Sequence, residues 1–352
     1  MITHEEQRRR EPSPQGRWTE LLGSYRRTRA AAFARGGEPA AAAESAALGH
    51  ELALAAPAPI AAGLFDPAAE SEAGPGAVAG ERDGWVGPLW EVLAGRHRWA
   101  ELAPLPIAEP VRTLIAHTRI LLGEELAELA ELGELAEPAA RRAGRARRPG
   151  ADSPCEVPLA LRPWEQARWE PADRVTSYRP GGAAATPHFP LPDSREGLAP
   201  LRLPKPAVAL PGAAQPATVA LRGLCEWLEA RCVRGTAPQA AALFAPAARD
   251  APVTAGYLPF AAAYPALVRA GSGAGAYGRS GGAARGRLAV WRVLAAMADP
   301  SGQCTSAEVD ALVARMRCFT WCGPADEIWH LHLALEDPAT GLAWAVSGCD
   351  YD

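Results

Sequence analysis

From Ile328 to Ser347 apolar residues alternate with polar or small ones along two runs, separated by Asp337-Pro338-Ala339-Thr340-Gly341. Alternation is the period of a strand, and a turn-forming stretch between two such runs specifies a β-hairpin over 328–347. Successive strand side chains point to opposite faces, so Trp329, Leu331, Leu333 and Leu335 share one face with Leu342, Trp344 and Val346. His330, His332 and Ala334 fall on the other, with Ala343, Ala345 and Ser347. A hairpin alone is marginal in water and must pack on something. The nearest partner is a helix: Leu288, Val290, Trp291, Leu294, Ala295 and Met297 recur at helical spacing from near Arg287 to before Pro300. Asp299-Pro300-Ser301-Gly302 then reads as a turn, and Thr305 or Ser306 with Glu308 offers an N-cap for a short helix ending at Met316.

The rest of the chain is read around this segment. Residues 1–16 are polar and proline-bearing, the pattern of a disordered leader. A helical region spans 17–139. Within it Trp18, Leu21, Leu22 and Tyr25 mark one buried helix face, residues 40–56 are an alanine-rich helix, and Trp85, Trp90 and Trp99 cluster as core. Pro110 starts a helix whose stripe Val111, Leu114, Ile115, Thr118, Leu121 and Leu122 predicts continuation through Leu126, Leu129, Leu132 and Leu135. Arginine-rich residues 140–153 read as a basic linker. Residues 154–352 form an α+β region containing a proline-dense connector over 187–216, where neither helix nor central strand is expected. Trp169–Tyr178 reads as a strand, Leu221–Cys232 as a helix, Ala240–Phe244 as a short strand and Pro259–Ala270 as a short helix. The fold class expected is α+β: a mainly helical N-terminal half, a small antiparallel sheet and the C-terminal hairpin.

Composition narrows the function classes. The 36 basic and 40 acidic residues balance, so no overall field favours nucleic acid or a membrane surface. No run of about eighteen apolar residues appears, which argues against a membrane span. Seven cysteines without regular spacing, and no charged-then-apolar opening segment, point to a reduced cytoplasm. Among single features, His97 between Arg96 and Arg98 reads as a surface or capping residue. The glutamates alternating with Leu126 to Leu135 lack a histidine at the spacing of a carboxylate metal site and read as a solvated face. The glycine-rich run 271–286 lacks both a preceding strand and the Gly-Lys-Ser/Thr of a phosphate loop, so it reads as a plain loop.

One chemical pattern stands apart. His330 and His332, on one face of one strand, are placed so that both imidazoles reach a single ion, and zinc suits such ligands. A closed site needs about four ligands, and the candidates to complete it are Cys318 and Cys322 before the strand and Cys349, Asp350 and Asp352 at the hairpin's return.

The segments Pro158-Leu-Ala-Leu-Arg-Pro-Trp-Glu165, Leu224-Cys-Glu-Trp-Leu-Glu229, Tyr277-Gly-Arg279 with Gly286-Arg-Leu-Ala-Val-Trp-Arg292, and Asp350-Tyr-Asp352 resemble a family of uncharacterised proteins from high-GC bacteria, over roughly residues 85–352. That family has no assigned activity, and its motifs look structural rather than chemical, so the resemblance implies no cofactor, substrate or catalytic residue. The expected function is that of a non-enzymatic accessory or protein-interaction protein, with a protein partner rather than nucleic acid. The alternative is a metal-dependent hydrolase using the His-x-His strand.

Overall fold

The structure, a computed structural model, describes residues 14–34, 39–66, 88–126, 157–180, 184–185, 197–211, 215–273, 281–301, 303–322 and 330–350. The chain divides into two compact units, Met1–Glu124 with Val175–Thr186, and Glu125–Arg174 with Pro187–Asp352.

The first unit is built on helices α1 (Pro14–Phe33), α2 (Pro39–Ala55), α3 (Leu89–Arg96) and α4 (Val111–Leu121). Helix α1 starts inside the stretch expected to be a disordered leader, because Pro14 suits the first turn, where its missing N–H forfeits no intrahelical bond. Its Tyr25 is buried, as the three-to-four spacing required. The small residues of α2 allow close packing: a Cβ at Gly49 would press against Leu89 and Tyr25. Helix α4 does not continue through Leu135. It is capped at Leu122, and Gly123 takes φ 92°, a left-handed conformation that glycine adopts without a Cβ clash. Leu126 is buried outside any helix, and Leu129, Leu132 and Leu135 lie outside the described residues, as do Trp85 and Arg141–Arg148. The strand expected over Trp169–Tyr178 shrinks to β1 (Ser177–Tyr178), paired with β2 (Ala184–Ala185), because Pro171 opens a 3₁₀ turn. Tyr178 donates to the buried Glu91 carboxylate at 2.6 Å, which ties β1 to α3.

The second unit carries the α+β core. Its helices are α5 (Pro163–Gln166), α6 (Pro216–Arg222), α7 (Ala237–Ala241), α8 (Phe260–Gly271), α9 (Ala283–Ala298) and α10 (Ser306–Arg315). Strands β3 (Ala199–Leu201), β4 (Glu229–Arg234), β5 (Val253–Leu258), β6 (Arg317–Trp321), β7 (His330–Asp337) and β8 (Leu342–Cys349) form one antiparallel sheet in the order β3-β5-β6-β7-β8-β4. The α+β class and the C-terminal hairpin are therefore as the sequence implies. The expected two faces hold as well: Leu333 faces Val346, Leu335 faces Trp344, and His332 faces Ser347. Helix α10 opens on Thr305 with a reciprocal capping box to Glu308.

Two expectations fail here, each for a physical reason. The helix expected over Leu221–Cys232 is two elements, since α6 ends at Arg222 and the alternately buried Ala230, Cys232 and Val233 pair as strand β4 with β8. The strand expected over Ala240–Phe244 is the end of helix α7 and the turn after it, the helix opening on a Thr236–Gln239 capping box that outweighs the weak local propensity. The proline-dense connector, where no central strand is expected, supplies the edge strand β3, which needs hydrogen bonds on one side only and so tolerates Pro200.

The hairpin is buried on both faces. On the histidine side α7 lies against it through small residues, Ala237, Ala240 and Ala241 meeting Ala334, Ala343 and Ala345 beside Phe319 and Trp321. Glu336 fixes that helix by accepting from Ala237 N at 2.8 Å. The opposite side carries the apolar residues Leu331, Leu333, Leu335 and Trp344, all buried, and α6 adjoins strands β4 and β8. Helix α9 packs on α6 and α8, and a Cβ at Gly286 would collide with the Val268 carbonyl, so the glycine-rich run ends in a close helix–helix contact.

At the hairpin turn Asp337 is wholly buried and accepts from Arg315 Nε at 2.7 Å, Arg315 Nη2 at 3.0 Å and Ala339 N at 3.0 Å. Hydrogen bonding from Arg315, opposed by burial, leaves its carboxyl below the ordinary value. A lowered folded value stabilises above the unfolded one and loses that stabilisation as pH falls through it. Asp337→Ala is expected to lower the urea midpoint by the equivalent of about 2 kcal/mol at pH 7 and by less near pH 3.

Candidate functional site

Strand alternation sorts the candidate ligands before any distance is measured. Phe319 faces Ala334 across β6 and β7, so Phe319 and Trp321 share the histidine side, whereas Cys318 faces Leu335 on the other. Cys318 is therefore separated from His330 and His332 by the sheet, and burial pushes its thiol well up. Cys322, half-buried just past β6, is anchored through its N–H to Thr254 O at 2.8 Å. Among the described residues no group of three His, Cys, Asp or Glu side chains is placed to hold a metal ion. Asp352 lies outside the described residues.

What the hairpin does assemble is a smaller cluster. Ser347 stands directly opposite His332, and Cys349 opposite His330. His332 Nδ1 lies 2.8 Å from Ser347 Oγ, and its Nε2 lies 3.9 Å from Cys349 Sγ. The imidazole stacks on the Trp321 ring and on the His330 ring, each at 5.5 Å between centroids. Burial, reinforced by His330, lowers the His332 pKa to about 4, so the ring is neutral at pH 7.

The sign of that shift makes a prediction. Between pH 6.5 and about 4 the unfolded chain binds the proton and the folded one resists it, so stability falls as pH falls through that window. Between pH 7 and pH 5 the urea midpoint should fall more for the parent than for His332→Gln, by the equivalent of about 2 kcal/mol. Equal falls would contradict the buried neutral imidazole.

A second polar constellation was not anticipated. Glu165 on α5 and Arg287 on α9 are completely buried and joined by Nε–Oε1 at 2.8 Å and Nη2–Oε2 at 3.0 Å. Tyr264 of α8 donates to Oε1 at 2.6 Å, Trp291 Nε1 to the same oxygen at 3.1 Å, and Arg162 N to Oε2 at 2.9 Å. Arg287 Nη2 also donates to the carbonyls of Pro158 and Ala160, at 3.0 and 3.2 Å. Trp164 closes the cluster, its ring against Phe260, Tyr264 and Trp291 and its Nε1 donating to Asp310 at 2.9 Å. Burial raises the Glu165 carboxyl, yet the Arg287 charge and hydrogen bonds override it and leave it below the ordinary value. The helical spacing held a signal: Arg287 lies four residues before Trp291 and seven before Leu294, on the apolar face itself.

Two of the segments that carried the family resemblance thus meet at this ion pair, one providing Glu165 and the other Arg287 and Trp291. A family model described as a family of unknown function, DUF6183, matches residues 73–343. The chain belongs to DUF6183. No curated protein and no solved structure matches it. The DUF6183 match takes in the ion pair, helix α7 and both histidines, and ends inside β8, before Ala345, Ser347 and Cys349.

His97, expected to be a surface or capping residue, caps α3 and is buried, its Nε2 lying 3.1 Å from Ala56 O. Of the glycine-rich run 271–286, residues 274–280 lie outside the described residues. No helix among the described residues is long and apolar enough to cross a membrane.

Proposed function

We propose that this DUF6183 chain is a non-enzymatic accessory or protein-interaction protein with a protein partner, working in the cytoplasm. The observation that carries the reading is the sealed ion pair. The Glu165 carboxylate accepts four side-chain hydrogen bonds and one from the backbone, with no exposed surface, so Glu165 and Arg287, the buried charges of the matching segments, are committed to holding helices together. A catalytic carboxylate and guanidinium would need open valences toward a cleft. A second reading, a metal-dependent hydrolase built on His330 and His332, draws support from Cys349 standing 3.9 Å from His332 Nε2.

Metal analysis separates the two. The full chain, purified without chelator, is assayed for zinc and other first-row metals and for hydrolysis of activated esters, beside a variant carrying His330→Ala and His332→Ala. The accessory reading expects no stoichiometric metal and no hydrolysis that depends on the histidines. One metal equivalent per chain, lost together with hydrolysis in the variant, would overturn it.

A further inference from the structure

The hairpin places a thiol, an imidazole and a hydroxyl in line. Ser347 Oγ holds His332 Nδ1 at 2.8 Å across the directly paired position, and the opposite nitrogen, Nε2, reaches the diagonal neighbour Cys349 at 3.9 Å. When Nδ1–H is donated to Ser347, the Nε2 lone pair is left facing the thiol, since the hydrogen bond at one ring nitrogen decides the tautomer at the other. Stacking on Trp321 and His330 fixes the ring plane. Exposure divides the roles: His332 is 7% exposed and shielded from water, while Cys349 is half-buried and open to a small reagent. A nucleophile, a base within reach and a third group orienting the base form the arrangement that activates a thiol, and a loose nucleophile–base distance is usual without a bound substrate.

We propose that Cys349 is a nucleophilic thiol that adds to α,β-unsaturated carbonyl compounds, with His332 as proton acceptor and Ser347 as the residue that positions it. In the step, the Sγ–Cβ bond forms as the carbon–carbon π bond breaks and its electron pair moves onto the α-carbon. The thiol proton passes to Nε2 and straight on to the α-carbon, since the buried ring resists holding the charge, which returns a neutral imidazole and a thioether. Nothing is oxidised or reduced and no group leaves. One adduct forms per chain, which suits a protein that senses or scavenges an electrophile rather than turning one over, and it asks nothing of the sealed ion pair.

N-ethylmaleimide is the probe, since it belongs to this chemical class. The full chain is treated with a limiting amount at pH 7, quenched at intervals, and each cysteine-containing peptide is quantified by mass spectrometry. Cys225 serves as the internal reference, being half-buried like Cys349 but with a thiol that burial pushes up to about 12. Cys349 is expected to react at least about tenfold faster than Cys225, and His332→Gln to slow Cys349 about tenfold while leaving Cys225 unchanged. Equal rates at Cys349 and Cys225, or a Cys349 rate indifferent to His332→Gln, would overturn the proposal. If His332→Gln disturbs the far-ultraviolet dichroism, Ser347→Ala replaces it: the fold is kept, the tautomer is released, and Cys349 is expected to slow several-fold, an unchanged rate again refuting the assignment.

Discussion

Replacing Glu165 with alanine is expected to destabilise the α+β unit by about 3–5 kcal/mol, because it strands a fully buried guanidinium without its counter-charge. Losses of that size are confined to a few mechanisms, and this variant engages two of them. Arg287 loses both carboxylate bonds, and the Tyr264 hydroxyl and the Trp291 indole N–H lose the oxygen they share. Water cannot easily replace the carboxylate, since Trp164, Phe260 and Tyr264 pack around the site. Tyr264→Phe is the calibrating variant: it deletes one 2.6 Å hydrogen bond and keeps the ring, so about 1–2 kcal/mol is expected. Thermal unfolding followed by near-ultraviolet dichroism reads both, and similar losses for the two variants would argue that the ion pair adds little beyond one hydrogen bond.

Trp321→Ala is expected to cost about 3–5 kcal/mol, the range for deleting a buried indole. Trp321 ends β6, is 2% exposed, and belongs to the cluster in which alanines of α7 meet alanines of the hairpin. Alanines make up most of that cluster, and a methyl side chain cannot swing into the space, which places the loss toward the upper end. Its ring also stacks on His332, and removing it should free the imidazole from its present plane. Urea unfolding measures the stability, and a loss below about 1 kcal/mol would show that the sheet collapses onto the vacancy after all.

How much of this was legible depended on how local the cause was. The hairpin was read down to its two faces, because alternation on both sides of a turn is a local signal, and the pairing of Leu333 with Val346 agrees with it. Helix α10 was read from its Thr305–Glu308 cap for the same reason. Helix α7 was misread because alanine runs carry little contrast, and its deciding interactions come from Glu336, about a hundred residues further on. Proline density at 187–216 gave a sound local statement, no central strand, but could not reveal that Ala199–Leu201 pairs with Val253–Ala255 at the sheet edge. The histidines were correctly placed on one face, yet the helix that buries that face is not encoded near it. Glu165 and Arg287, 122 residues apart, carried no mutual signal at all. Charged residues in apolar segments read as exposed ends until the partner is visible.

The claim that these matching segments hold the fold rather than a substrate is tested most directly by a double-mutant cycle on Glu165→Gln and Arg287→Met, with urea midpoints of the parent, both single variants and the double. Groups kept for holding structure lose stability when replaced, whereas groups kept for function are commonly neutral or stabilising to remove. The account predicts that each single variant loses at least about 2 kcal/mol and that the double loses clearly less than their sum, since the second change removes a charge the first left unpaired. Single variants within about 0.5 kcal/mol of the parent, with additive effects, would contradict it.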